Sequence, residues 1–259
     1  MKKHQIKAES AIKRLWIIFF ITSLIIILLV MFLIVTSHLL VTANFKLKPA
    51  ENISMQSKEV GQEIILGNTA KKEVIFTFDG GSEDQSATDI LAVLAKHHVK
   101  GTFFLTGKMM ETYPDLVKRI AGQGCEIFNH TYDHPHLTAL SDGEIQNQLI
   151  KMQNVLETIA HISPKPFFRE PYGDRDARVL NAAAEVGYRA VNWTVDALDW
   201  KESLGETAGE VEERIISNVA PGTIYLMHLG DKITGSVLDD VFTKIEQKGY
   251  KIVSLTQGI

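Results

Sequence analysis

Cysteine is almost absent from this chain: Cys125 is the only one in 259 residues. A lone thiol makes no intramolecular disulfide and no metal–thiolate cluster, which excludes disulfide scaffolds and cysteine-built zinc sites. Cys125 reads instead as a small buried apolar residue ahead of a strand, the common fate of a free cysteine. Excess charge is also lacking, since 27 basic against 31 acidic residues leave a net −4. That is not the basic balance of a nucleic-acid binder, so no nucleic-acid partner is expected. No short repeat or low-complexity tract interrupts the chain. With 45% hydrophobic and 22% charged residues, the composition is that of a globular protein.

One stretch lacks charge altogether. Leu15–Val35 contains no charged residue, proline or glycine. About 20 apolar residues in a helix cross the hydrocarbon core of a bilayer. Lys2, Lys3, Lys7, Lys13 and Arg14 precede the run against a single Glu9, whereas only Lys46 and Lys48 follow closely. This asymmetry predicts a cytoplasmic N-terminus and an exported remainder. Val41-Thr42-Ala43 resembles a signal-peptidase site, but the apolar region of a cleaved signal is usually about 7–15 residues long. The longer run favours an uncleaved anchor. The expected organisation is a basic cytoplasmic segment at 1–14, a transmembrane signal anchor at 15–41, a polar stalk at 42–72 and a folded domain at 73–259. The protein is thereby expected at the cell membrane, single-pass, with the domain outside.

From Glu73 onward, short apolar runs alternate with helical periodicity. Strands are expected at Val74–Phe78, within Gly101–Gly107, at Glu126–Asn129, ending at Phe167–Phe168, at Arg189–Trp193, at Thr223–Met227 and at Lys251–Ser254. Helices are expected between them, the clearest starting at Ser141, where SDGE has the form of a capping box. Such alternation, about seven times over, predicts an α/β fold with a mainly parallel sheet. Seven units fit a compact, incomplete (β/α) barrel better than a full eightfold one.

The unusual polar residues fall after the predicted strands, where barrels of this kind carry their chemistry. Asp79 follows the first strand, His130 and His134 the third, Arg169 the fourth, Asp196 and Asp199 the fifth, and His228 the sixth. Singly, each has a plain alternative. Asp79 before Gly80-Gly81 suits a turn, Arg169 an ion pair, His228 a satisfied core histidine, and Trp200 ordinary core. The H-x-x-x-H spacing of His130 and His134 suits a metal, because neutral imidazole is the commonest ligand. Among nine histidines, though, such pairs also arise by chance. It is the coincidence of all these residues on one predicted rim that points to an enzyme.

In this order the residues resemble the five motifs of the polysaccharide deacetylase family, the carbohydrate esterases with a NodB-homology domain. Thr77-Phe78-Asp79-Gly80-Gly81 resembles its TFDDG. His130-Thr131-Tyr132-Asp133-His134 resembles H-[ST]-x-x-H, and Arg169-Glu170-Pro171-Tyr172-Gly173 resembles R-x-P-[YF]-G. Asp196-Ala197-Leu198-Asp199-Trp200 resembles D-x-x-D-W, and Leu226-Met227-His228 the leucine–histidine motif. The resemblance spans Glu73–Ile259. It implies a distorted (β/α) barrel and metal-assisted removal of acetyl groups from amino sugars.

By position, the resemblance implies His130 and His134 as ligands of a divalent metal, zinc first, with cobalt or manganese as alternatives. Asp79 would be the general base, paired with Arg169, because a nearby cation favours a charged carboxylate. The Tyr172 N–H would help stabilise the oxyanion. His228 would be the general acid, oriented by Asp199, while Leu226 and Trp200 would form the slot for the acetyl methyl. One position departs from the family. Its first motif carries a second aspartate, a metal ligand, where this chain has Gly80. Glu83, Asp84 or water would have to replace it, or metal-dependent catalysis would be lost. The expected substrate is an N-acetylated glycan outside the cell, above all peptidoglycan, with chitooligosaccharides open. A glycan-binding pseudoenzyme is the alternative.

Overall fold

The computed structural model describes residues 63–259 apart from Ser82, together with Met31 alone before them. The Leu15–Val35 run, with the anchor expected there, lies outside the described residues. Among those described, no helix is long and apolar enough to cross a membrane.

The fold is organised around β1 (Glu73–Gly80). Side chains of a strand alternate between its two faces. Val74, Phe76 and Phe78 join the large core beneath the helices, while Ile75 packs inward with Phe104, Phe128, Phe167 and Ile224. Thr77 and Asp79 share the parity of Ile75. The inner face of β1 therefore runs from apolar at one end to ionisable at the other.

β1 pairs in parallel with β2 (Thr102–Leu105) on one side and β7 (Ile224–His228) on the other. Beyond β2 the sheet continues through β3 (Glu126–Asn129), β4 (Phe167–Phe168) and β5 (Arg189–Ala190), and beyond β7 it ends at β6 (Val195–Asp196). β8 (Lys251–Val253) pairs with the first residues of β1. All these pairings are parallel, so one rim collects every C-terminal strand end.

The outer layer consists of α1 (Ala87–Lys96), α2 (Gly107–Thr112), α3 (Pro114–Gly122), α4 (Asp142–Ala160), α5 (Ala177–Glu185), α6 (Ala208–Ser217) and α7 (Lys232–Gln247), with a last turn, α8 (Leu255–Gly258). α4 begins at the expected capping box, the Ser141 N–H donating to the Glu144 carboxylate at 2.8 Å. At α5 the Asp176 carboxylate accepts the Val179 N–H at 2.8 Å. α1 and α7 bury Ile90, Leu91, Leu94, Val237, Leu238, Val241 and Phe242 against the outward face of the sheet. Cys125 is buried as expected, and burial raises its thiol pKa.

Three features differ from the reading of the sequence. The fifth strand is two residues long, and a separate short strand, β6, follows it, so Asp196 lies in a strand and not after one. β6 has no apolar run long enough to announce itself. α2 was hidden inside a loop because a single six-residue turn carries too little periodicity. The folded part also starts before the change of pattern at Glu73. Ile64 is 6% exposed and forms a parallel bridge with Val191. Its N–H donates to Ala190 O at 2.9 Å, its carbonyl accepts from the Asn192 N–H at 2.8 Å, and Thr194 Oγ1 donates to Ile65 O at 2.7 Å. This segment stitches the region between β5 and β6, the two strands that end the sheet.

Candidate active site

The C-terminal rim brings the expected base and acid onto one rung of neighbouring strands. Asp79 and His228 are direct partners in the β1–β7 register. Both lie on the inward parity of their strands, and both line one cavity of about 560 Å³.

Arg169, which leaves β4, is fully buried behind Asp79. Its Nη1 donates to Asp79 Oδ1 at 2.7 Å and to Thr77 Oγ1 at 2.8 Å. Nε and Nη2 donate to the Val191 and Asn192 carbonyls at 2.9 and 3.2 Å. The guanidinium also sits 4.2 Å from the Phe104 ring centroid and 5.6 Å from that of Trp193. A buried cation needs a counter-charge and filled donors, and this one has both. Thr77 in turn donates to Tyr225 O at 2.6 Å, which ties the pair to β7.

His130 and His134 lie on the loop after β3. His130 Nδ1 is 2.9 Å from the Arg169 carbonyl, which only accepts, so Nδ1 carries the proton and Nε2 is left bare. Burial lowers the His130 pKa against the pull of Asp79. Burial, then the charge of His130, pushes His134 down to about 4. Both rings are therefore neutral near pH 7. The two Nε2 atoms are 3.2 Å apart. Two metal–nitrogen bonds of about 2.0–2.1 Å at a tetrahedral angle separate their nitrogens by about 3.4 Å. Donor chemistry and spacing thus suit a common divalent ion. The loop holds this pose through left-handed residues at Thr131 and His134, and through Gln148 Oε1, which accepts the Tyr132 and Asp133 N–H groups.

Gly80 contributes nothing to this pair. Its parity is that of Phe78, and a Cβ there would meet Met109, Leu105 and Leu229 at 2.5–2.8 Å. That side belongs to the apolar core beneath the helices. Among the described residues, neither Glu83 nor Asp84 brings a ligand atom into a three-membered group with the two histidines.

His228 is held differently. Asp199 is fully buried; its Oδ1 sits 2.9 Å from His228 Nδ1, and its Oδ2 accepts the His228 N–H at 2.7 Å and the Thr234 hydroxyl. Burial works against the imidazolium, but the hydrogen bond and charge of Asp199, with Asp79 and Asp231 behind it, raise the His228 pKa to about 9. Asp199, His228 and Asp231 also have ligand atoms close enough together for a metal. Both Asp199 oxygens are already taken by protein donors, so this cluster is a proton-holding arrangement. Thr234 was not foreseen, because a threonine inside a helix carries no signal in sequence.

The remaining expected residues converge here too. Leu226, Trp200 and Tyr172 line the cavity. Trp200 Nε1 leans on Asp196 Oδ2 at 3.4 Å, and Asp196 Oδ1 accepts the Leu198 N–H at 2.8 Å, which shapes the turn that presents the indole. Tyr172 has left-handed backbone angles, φ 61° and ψ 7°. Its N–H has no acceptor among the described residues. Its ring stacks on His136 at 4.1 Å and meets the edge of His134 at 4.5 Å.

The profile of the polysaccharide deacetylase family matches residues 66–191. The peptidoglycan N-acetylglucosamine deacetylase of Bacillus cereus is 40% identical over 189 residues, 71% of this chain and 67% of the relative. The chain belongs to the polysaccharide deacetylase family. The Bacillus subtilis peptidoglycan N-acetylmuramic acid deacetylase PdaA is 34% identical, over 73% of this chain and 72% of its own length. The solved structure of PdaA superposes with a TM-score of 0.73 at 31% identity, covering 81% of this chain and 89% of that one. A pseudoenzyme of carbohydrate esterase family 4 from Bacillus anthracis superposes with a TM-score of 0.72 at 31% identity, covering 76% and 68%. The parallel half-barrel with its helices is thus the fold of the family.

Proposed function

We propose that this family member removes N-acetyl groups from an amino-sugar polymer outside the cell, peptidoglycan above all, with a divalent metal held by His130 and His134. The observation that carries the reading is the pairing of Asp79 with His228 on adjacent strands, each backed by its own orienting partner. Binding alone needs no matched base and acid.

Amide hydrolysis requires a base for the attacking water, stabilisation of the oxyanion and a proton for the leaving amine. The Asp79 carboxylate takes a proton from the water that attacks the acetyl carbonyl. Arg169 fixes Oδ1, so that Oδ2 faces His130 at 3.6 Å. The Tyr172 N–H donates to the carbonyl oxygen as it gains charge. His228, its Nδ1 engaged by Asp199, delivers its proton from Nε2 to the sugar nitrogen as the C–N bond breaks, giving acetate and a free amine. Leu226 and Trp200 seat the acetyl methyl. His130 and His134 would hold the ion, zinc ahead of cobalt or manganese, which when bound would supply Lewis-acid polarisation of carbonyl and water. Two protein ligands are fewer than the three of the usual catalytic zinc site, so the ion is expected to be labile to chelators.

The Leu15–Val35 run and the basic residues before it support a single-pass anchor with the N-terminus in the cytoplasm and the barrel outside. Gly80 favours a second reading, a glycan-binding pseudoenzyme, in keeping with the similar Bacillus anthracis fold. Acetate release from peptidoglycan and chitin oligomers by the detergent-solubilised full chain separates the two. The deacetylase reading expects release that falls with chelator and by about 10²–10⁴-fold in Asp79→Asn. No release from any glycan after zinc, cobalt or manganese is added back would establish the pseudoenzyme.

A further inference from the structure

His130 and His134 are held in different ways. His130 stands at the end of β3, its N–H on the Leu105 carbonyl at 3.2 Å and its Nδ1 on that of Arg169. His134 stands four residues on, and its position follows from the path of the loop between them. The chain would not choose that path by itself. Thr131 and His134 have left-handed backbone angles, φ 68° and 63°. These are costly for any residue but glycine, and most of all for a β-branched one. Something outside the loop has to hold it.

α4 does so. Asn129 is fully buried; its Oδ1 accepts the Thr131 N–H at 2.8 Å, and its Nδ2 donates to Leu149 O at 2.9 Å. Gln148 Oε1 accepts the next two amides, those of Tyr132 and Asp133, at 3.0 and 3.1 Å. Two donors converging on one atom identify it as the side-chain oxygen, because the amide nitrogen only donates. The His134 N–H donates to Thr131 Oγ1 at 3.1 Å. Four consecutive amides thus end on side-chain oxygens, two of them on this single half-buried glutamine. From the other side, the Gly107 and Lys108 N–H groups at the start of α2 donate to the Thr131 and Tyr132 carbonyls at 3.0 and 2.9 Å. Lys151, one turn beyond Gln148, lies 3.4 Å from the Tyr132 ring centroid, and the Tyr132 hydroxyl donates to Glu111 at 2.8 Å. α4 is itself anchored by Ile145, Leu149, Met152 and Leu156, all fully buried, so it is a fixed reference for the loop.

We propose that Gln148 is a positioning residue. By holding the Tyr132 and Asp133 amides against α4, it sets the 3.2 Å separation of the His130 and His134 Nε2 atoms and, with it, the affinity of the pair for a divalent cation. Both lone pairs of its oxygen are engaged by the loop, so it acts through the histidines and not as a ligand. Ordering a loose loop on binding would subtract from affinity, and a preset loop avoids that loss. The inference rests on the reading of the two histidines as metal ligands, and it deepens that reading by naming what presets them.

Gln148→Met keeps the length of the side chain and removes the oxygen. Gln148→Asn keeps the amide but stops one methylene short, and makes the same comparison if the thioether disturbs packing. Gln148→Glu keeps the accepting oxygen. Each is compared with the wild type as the metal-free full chain in detergent, by zinc competition against a chromogenic chelator, thermal unfolding, and hydrogen exchange of the peptide spanning residues 130–135. The methionine and asparagine variants should lose zinc affinity by about 10–100-fold, the usual cost of losing an outer partner of a metal ligand, and should exchange faster at 130–135. The glutamate variant should keep both affinity and protection. Unchanged zinc affinity in the methionine and asparagine variants would overturn the proposal, as would a glutamate variant that falls as far as they do. A lowered unfolding temperature with zinc affinity intact would overturn it too, as the signature of a merely structural role. A wild type that binds no zinc would overturn the metal reading alone, because the exchange comparison still decides whether Gln148 holds the loop.

Discussion

Replacing Asp199 by asparagine removes the charge that keeps His228 protonated and leaves the shape of the site nearly intact. His228 is raised from 6.5 to about 9, a displacement worth about 3 kcal/mol. Burial alone would push the other way. With Asp199 neutral, only the more distant Asp79 and Asp231 oppose burial, so the His228 pKa is expected to fall to 6.5 or below. At pH 8 the protonated fraction would drop from roughly nine-tenths to a few per cent, about thirtyfold from titration alone. Loss of orientation adds to this, within the ~10²–10⁴-fold share typical of acid–base catalysis. The pH profile of kcat/KM for acetate release is the decisive assay. The wild-type basic limb should fall near pH 9 and that of Asp199→Asn below pH 7. The same proton is linked to folding. A group that binds its proton more tightly folded than unfolded stabilises the fold when protonated, so the contribution is complete below about pH 6.5 and is lost as pH rises through about 9. Urea unfolding across that window should show the loss in the wild type and little of it in the variant. A basic limb that stays near pH 9 in Asp199→Asn would refute the assignment of His228 as the acid.

Other perturbations separate the remaining parts. His130→Ala should abolish stoichiometric zinc in the purified protein, measured by elemental analysis; full retention would remove His130 from the ligand set. Gly80→Asp should lower stability by about 1–3 kcal/mol through overpacking against Met109, Leu105 and Leu229, with no gain in zinc affinity. Unchanged stability with tighter zinc would mean that the strand end turns over and delivers the carboxylate to the histidines. Ile64→Ala should cost about 2–5 kcal/mol in urea unfolding, the usual scale for a buried isoleucine. A negligible cost would return residues 63–72 to the stalk.

The barrel was legible because most of its strands are continuous apolar runs, as strands buried on both faces must be. The site was legible because strand ends in such folds carry chemistry, and Asp79, His130, Arg169 and His228 each sit at one. What escaped has physical reasons. β6 is two residues long, and its placement depends on pairing with β7, a contact between residues about thirty apart. Thr234 acts through a distant partner, which no local pattern encodes. Glu170 reads as an ordinary charged loop residue, and only coordinates show that it is buried without a partner. Gly80 was recognised as a missing ligand. That its vacancy faces methyl groups and a thioether follows from strand parity, once the side taken by Asp79 is known.

The shared rung of Asp79 and His228 has a consequence for how this machinery varies. The two groups are spaced by main-chain hydrogen bonds between β1 and β7, so their separation is set by the pairing of two strands inside the sheet. A slip of one residue between those strands would turn one partner away from the other, and an insertion in a surface loop would disturb neither. Changes of glycan preference can therefore accumulate in the surrounding loops, while the proton-handling pair is inherited as a fixed unit of the sheet.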